Sequence, residues 1–289
     1  DFKVKLAIGT AQLGSAYGIA NTSGILPEKE MKKILDRATL EGINTIDTAK
    51  SYGESEIILG NSCVDNFKVI TKLPTVPDNC LNIEKWLDNY IERSLISLKL
   101  KKIYGILLHN PNQLLSDSGK VLFRALESYK KNGVISKIGI SIYSPSQLDL
   151  ILPKFSIDIV QAPFNIVDRR ILNSGWLEKL SKKNIETHIR SVFLQGLLLM
   201  QYEKIPNQFS NWNRVWLKWK NWLLDNEISP VHACISFVDS FQEVDKIIVG
   251  FDSFAHFDQI IVASKKLPIK NIINIELEDE LLINPSNWR

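Results

Sequence analysis

Four polar side chains stand at the ends of consecutive apolar runs. Asp47 closes Ile43–Asp47, Lys72 closes Val69–Lys72, His109 closes Ile106–His109, and Tyr52 follows Asp47 by five residues. Singly, each has an ordinary structural use: a lysine snorkels, a tyrosine packs at a rim, an aspartate caps the next helix. Four of them from three consecutive loops make a cluster that structure alone does not require. Two chemistries suit it. Lys72 can form a Schiff base with a carbonyl compound. Alternatively, Tyr52 donates a proton. A free phenol has a pKa of about 10 and needs a nearby cation to bring proton donation toward neutrality. Lys72 supplies that charge, Asp47 holds Lys72, and His109 orients a carbonyl oxygen by a hydrogen bond. The second scheme employs all four groups, whereas the first leaves Tyr52 and His109 without a task.

For these residues to meet, the runs that carry them must lie side by side and in parallel. The expected strands are Leu6–Gly9, Ile43–Asp47, Val69–Lys72, Ile106–His109, Ile138–Ser141, Ile159–Gln161, Thr187–Ser191 and Ile247–Gly250. Amphipathic stretches separate them. Glu28–Leu40 puts Met31, Ile34, Leu35 and Ala38 on one face, and Ile83–Leu98 does the same with Trp86, Leu87, Tyr90, Ile91 and Leu95. Near-continuous apolar strands alternating with helices indicate a parallel sheet covered by helices. Eight such units suit an α/β fold of the (β/α)8 TIM-barrel type, in which the C-terminal strand ends surround one site. No Pro/Ser-rich linker divides residues 1–289, so a single domain is expected, with residues from about 271 to 289 as a tail packed on the barrel. Trp212, Trp216, Trp219 and Trp222 fall on one helical stripe, read here as packing.

Composition narrows the function classes. The 289 residues are 45% apolar and 23% charged, an ordinary globular balance that excludes disorder as the main state. Apolar runs such as Leu197–Met200 are far too short to span a bilayer, and Asp1 to Lys5 does not resemble a secretory start. A net charge of +3 gives little field for nucleic acid, and the Lys99, Lys101, Lys102 and Lys130–Lys131 clusters lack interleaved aromatics. Cys63, Cys80 and Cys234 make no CxxC pair, and their odd number argues for a reducing compartment, the cytoplasm. GxGxxG is absent, and Gly14-Ser-Ala-Tyr-Gly18 lacks a following GK[ST]. The four histidines are too dispersed for a local metal motif, so no metal is expected.

The chain resembles the aldo-keto reductase family from Ile8 to the Asn-Pro-Ser-Asn-Trp near its end. The carriers are Gly9-Thr-Ala-Gln12, Gly42-x4-Asp47-Thr-Ala, Tyr52-Gly-Glu-Ser-Glu56, Val69-Ile-Thr-Lys72, Leu107-Leu-His109, Ile138-Gly-Ile-Ser141, Val160-Gln161 and Ile248-Val-Gly250. That resemblance implies a (β/α)8 barrel binding an extended nicotinamide dinucleotide without a Rossmann fingerprint. It implies hydride transfer to an aldehyde or ketone, a small-molecule carbonyl substrate, with Tyr52 as proton donor. Lys72 and Asp47 would tune Tyr52, and His109 would position the carbonyl. Ser141 and Gln161 match residues that hold the nicotinamide carboxamide, and Gly9, Thr10 and Ala11 lie where the first strand approaches the cofactor. The stretch Ser191 to Gly196, with Phe193 and Gln195, matches the pyrophosphate cradle. Gly250 to Gln259, with Ser253 and His256, matches the part that meets the adenosine 2′-phosphate.

Several positions depart from the family pattern. Ile142 follows Ser141 where many members have Asn, and Arg190 stands where many have a Tyr stacked on the nicotinamide; a guanidinium plane can also stack. Asn110 follows His109 where reductases of simple aldehydes often have Trp, so with Tyr52 and His109 it is a candidate substrate contact. Polar Asn110 and Arg190 lean toward a hydroxylated or anionic carbonyl compound. The cations that select NADPH are replaced by Gly250 and His256, with Asp252 between them, which weakens phosphate recognition. NADP(H) is the family default, and NAD(H) is the alternative. Two other readings stay open: a cofactor-binding regulatory or redox-sensing subunit with little turnover, and a Schiff-base lyase using Lys72. No obligate protein partner is evident from the sequence.

Overall fold

The apolar runs become eight strands: β1 Leu6–Gly9, β2 Thr45–Asp47, β3 Lys68–Leu73, β4 Ile103–Leu108, β5 Ile135–Ser141, β6 Ile159–Pro163, β7 Glu186–Arg190 and β8 Lys246–Val249. In the computed structural model each pairs in parallel with its sequence neighbour. β1 closes the ring on β8 through Leu6↔Ile247, Ala7↔Ile248 and Ile8↔Val249. This is a (β/α)8 barrel in a single domain. The structure describes residues 4–16, 18–21 and 24–288. Asp1 at the chain start, Tyr17 of the glycine stretch and Arg289 of the tail lie outside the described residues.

Burial explains the alternation along the strands. Ile8, Ile46, Val69, Ile106 and Leu108 point outward into the core beneath the helices, while Ile70, Leu107 and Ile159 fill the barrel interior. The helix Glu28–Leu40 buries Met31, Ile34, Leu35 and Ala38, as its spacing requires. The helix Ile83–Leu98 starts under an Asn82 cap, whose side chain accepts from Lys85 N at 2.8 Å, and ends at Lys99 in a left-handed conformation. Trp216 and Trp219, on the helix Asn213–Asp225, are buried and donate to the carbonyls of Phe209 and Leu198, so the tryptophan stripe is packing.

The C-terminal strand ends fall within two residues of expectation, while β4 and β5 begin three residues earlier than expected. β4 stops at Leu108, and His109 follows it, with its amide still donating to Leu73 O at 3.1 Å. β7 stops at Arg190 because Ser191 takes φ 60°, which no strand continues through. After β8 and the helix Phe254–Ser264, the chain crosses back over the barrel. There Leu277 N bonds Val167 O, Arg169 donates to Ile273 O, and Ile275, Leu282 and Ile283 are buried. Among the described residues no helix is long and apolar enough to cross a membrane.

Candidate active site

The Asp47–Lys72 pair forms the base of the site. Lys72 Nζ donates to Asp47 Oδ2 at 2.6 Å and to Thr48 O at 3.0 Å. Both side chains are almost fully buried. Burial alone would strip the proton from Lys72, but Asp47 and then Tyr52 outweigh it and hold the ammonium above its ordinary pKa. Gln161 Nε2 donates to the other Asp47 oxygen at 2.7 Å, and Ser141 Oγ faces Gln161 Oε1 at 3.4 Å. Asp47 is thereby fixed from two sides. Lys72 Nζ lies 5.2 Å from the centroid of the Tyr52 ring, and Tyr52 meets the His109 ring edge-to-face at 6.2 Å.

Backbone crowding positions Tyr52. A Cβ on Gly14 would lie 1.7 Å from Tyr52 O, and Gly53, at φ 54°, packs back against Gly14. Only glycine allows the two segments to cross so closely. Behind them Ser55 Oγ donates to Thr10 O at 3.0 Å, which ties the Tyr52 loop to the end of β1. Buried Glu56 accepts from Thr71 at 2.7 Å, Ser94 at 2.9 Å and Lys50 at 2.9 Å. Those bonds clamp the helix Ser55–Asn61 to β3 and to the helix Ile83–Leu98.

His109 is neutral in the ordinary pH range. Burial, then the charges of Lys72 and Arg190, push its pKa down to about 4. Ser51 Oγ lies 3.3 Å from His109 Nδ1. A neutral ring that accepts from Ser51 at Nδ1 carries its hydrogen on Nε2.

Above this cluster opens a cavity of about 960 Å³, within the size range of ligand sites. It brings together most of the residues expected from sequence. Asp47, Tyr52, His109, Ser141 and Gln161 line it together with Gly9, Thr10 and Ala11. Arg190, Ser191, Phe193, Gln195 and Gly196 form one wall. Gly250, His256 and Gln259 line the far part. Lys72 sits behind the wall rather than in it. Two further expected residues do not line the cavity either. Asn110 is exposed, and its Oδ1 accepts from Asn112 N at 3.2 Å to cap the turn Pro111–Leu115. Ser253 Oγ is likewise engaged, accepting from His256 N at 3.3 Å as the cap of the helix Phe254–Ser264.

The cavity suits a long polar ligand. Gln12 Oε1 is buried among its lining residues without a hydrogen-bond partner. Glycines open room: a Cβ on Gly250 would lie 2.7 Å from Gln12 Nε2, and one on Gly196 would lie 2.5 Å from Ala20 Cβ. His256 Nδ1 lies against Asp252 Oδ1. Four contributors escaped the sequence reading. They are Gln12, Thr48 through its carbonyl, Ser51, and Tyr143, whose ring lies 5.0 Å from the Arg190 guanidinium carbon. Tyr143 follows Ser141 by two residues at a strand end, and that offset was the available signal. Among the described residues no group of three metal-ligating side chains occurs.

Comparisons with known proteins bear on the family and the fold. The model of the Aldo/keto reductase family matches residues 5–276. An uncharacterized oxidoreductase of Bacillus subtilis (strain 168), YqkF, is 29% identical over 207 residues; the match spans 66% of that protein, just under two thirds of its length. Among solved structures, the holo form of aldo-keto reductase AKR11C1 from Bacillus halodurans superposes with a TM-score of 0.73 at 19% identity, covering 92% of this chain and 88% of that one. The glycerol dehydrogenase AKR11B4 from Gluconobacter oxydans gives 0.70 at 20% identity, covering 92% and 87%. At such identities these two likenesses speak for the fold.

Proposed function

Because the chain belongs to the aldo/keto reductase family, we propose that it is an NAD(P)H-dependent carbonyl reductase with Tyr52 as proton donor. The observation that carries this reading is the buried Lys72–Asp47 pair beneath Tyr52, at the floor of a cavity that His109 also lines. A reduced nicotinamide dinucleotide, when bound, supplies the hydride. Ser141 and Gln161 would hold its carboxamide, Ser191 to Gly196 its pyrophosphate, and Gly250 to Gln259 its adenosine end. NADP(H) is the family default and NAD(H) the alternative, which Asp252 against His256 favours at that end.

The protein's own groups divide the remaining work. Neutral His109 donates from Nε2 to a carbonyl oxygen and so orients it. Tyr52 then gives its phenolic proton to the oxygen as negative charge develops there. The phenolate left on Tyr52 faces the Lys72 ammonium, whose charge is already fixed by Asp47, so little reorganisation is needed. The Schiff-base alternative has Lys72 against it: attack on a carbonyl needs an unprotonated, accessible amine, whereas this one is held charged and is 1% exposed.

Tryptophan fluorescence titration with NADPH and NADH in parallel tests the reading without knowledge of the substrate. Saturable quenching by either one supports it, and binding of neither below the millimolar range ends it. Tyr52→Phe should then lower carbonyl reduction about 10²- to 10⁴-fold, the range of a lost general acid, with cofactor affinity changed less than about threefold. Undiminished turnover in that variant would remove Tyr52 from the mechanism.

A further inference from the structure

Among the described residues no carboxylate neutralises the charge of Arg190. Its Nη2 donates to Ile142 O at 2.9 Å and its Nη1 to Ser191 Oγ at 3.2 Å, both uncharged acceptors. Its guanidinium lies against the Tyr143 ring, 5.0 Å from the centroid. No carboxylate approaches it within ion-pair distance among the described residues. Of the two acidic side chains lining the cavity, Asp47 pairs with Lys72, and Asp252 lies beside His256. With His109 neutral and Lys72 balanced by Asp47, the reacting end of the cavity holds one net positive charge.

The position of that charge is determined by β7. Residues two apart on a strand share a face, so Arg190 stands on the interior side above His188, which pairs in register with Gln161. Arg190 is thus one layer above the Asp47–Gln161–Ser141 cluster, in the same wall as Ser141 through its bond to Ile142 O. The charge of Arg190 is felt at His109, where it is one of the causes that depress the imidazole pKa. A guanidinium has five N–H donors, of which two are committed here; the others are available in a planar fork that matches an oxyanion. A partly buried cation with no counter-ion is costly, and a bound anion removes that cost.

We infer that Arg190 is an anion subsite of the cavity, so that the substrate is an aldehyde or ketone that also bears a carboxylate or phosphate. This deepens the reductase reading and rests on it. In the bound state the carbonyl oxygen lies between Tyr52 and His109, and the anionic group meets the open edge of Arg190. Tyr143 packs against the guanidinium. Simple uncharged aldehydes would fill the same place without repaying the unpaired charge.

Two matched pairs of probes test this: butanal against 4-oxobutanoate, and glyceraldehyde against glyceraldehyde 3-phosphate. Wild-type kcat/KM should favour at least one charged member about 10- to 100-fold, the range of a charge-assisted hydrogen bond. The pair that shows the preference identifies carboxylate or phosphate. Arg190→Met should collapse that ratio toward one, and Arg190→Lys, which keeps the charge but not the fork, should restore part of it. A binding arm needs no turnover: succinate, added to wild type, should raise the His109 pKa read by imidazole NMR, and succinamide should not. If no carbonyl is reduced but succinate still shifts His109 in wild type and not in Arg190→Met, the subsite stands and the reductase reading falls. Equal efficiency for charged and neutral aldehydes, or an Arg190→Met variant that weakens cofactor binding while leaving the charged-to-neutral ratio intact, would overturn the inference. The latter outcome would assign Arg190 to the cofactor's phosphates.

Discussion

Acidification should leave the His109 ring neutral until the pH approaches 4. Burial, Lys72 and Arg190 hold its pKa down at about 4. At pH 7 such a ring is protonated in about one molecule per thousand, against about one in four for an imidazole at the ordinary value of about 6.5. Because the folded-state pKa lies below the unfolded one, the stability this seat contributes is fully present above about pH 6.5. It is lost as pH falls through about 4, and it amounts to about 2–3 kcal/mol once the ring's partial exposure is allowed for. The chain has four histidines, His109, His188, His232 and His256, which makes an imidazole NMR titration tractable, with His109→Gln providing the assignment. The same titration reports which nitrogen carries the hydrogen, expected to be Nε2 with Nδ1 toward Ser51. Correspondingly, kcat/KM should show no limb from this residue between pH 5 and 8. A His109 signal titrating between pH 6 and 7 would refute the reasoning, since a charged ring would then be present in much of the population at neutral pH.

Asp47→Asn removes the carboxylate that keeps Lys72 charged, so burial prevails and the amine loses its proton. Stability should fall by about 3–5 kcal/mol, as for a broken buried pair, and turnover by about 10²- to 10⁴-fold, measured by denaturant unfolding and steady-state kinetics. Gly14→Ala must push the Tyr52 backbone away from a contact of 1.7 Å, which should cost about 100-fold in kcat/KM with the circular dichroism spectrum retained. Normal kcat/KM would show that the crossing does not position Tyr52. Asp252→Asn removes the carboxylate against His256 and should raise NADPH affinity relative to NADH by about tenfold in parallel fluorescence titrations. An unchanged ratio would place the 2′-phosphate away from Asp252.

Much of this protein can be read along the chain because the information is local. The short Ile/Val/Leu runs and the 3.6-residue spacing in Glu28–Leu40 and Ile83–Leu98 are written in consecutive residues, and the helices form with those bounds. Asp47, Lys72 and His109 are legible as a cluster for the same reason: in a parallel barrel, chain position at a strand end is also spatial position. What the sequence could not decide is which partner each side chain chooses. Asn110 caps its own turn and Ser253 caps its own helix, a local bond that competes with reaching the cavity. The crossing of Gly14 over Gly53, the Glu56 clamp on Thr71 and Ser94, and the seat of Arg190 between Ile142 and Tyr143 join residues up to 48 positions apart. Those contacts arise only when neighbouring strand–helix units pack together, since that packing fixes how far each loop stands from the next. Local pattern thus determined the barrel and the Asp47–Lys72–His109 cluster, and tertiary packing set the surroundings that depress the His109 pKa and left Arg190 without a counter-ion among the described residues.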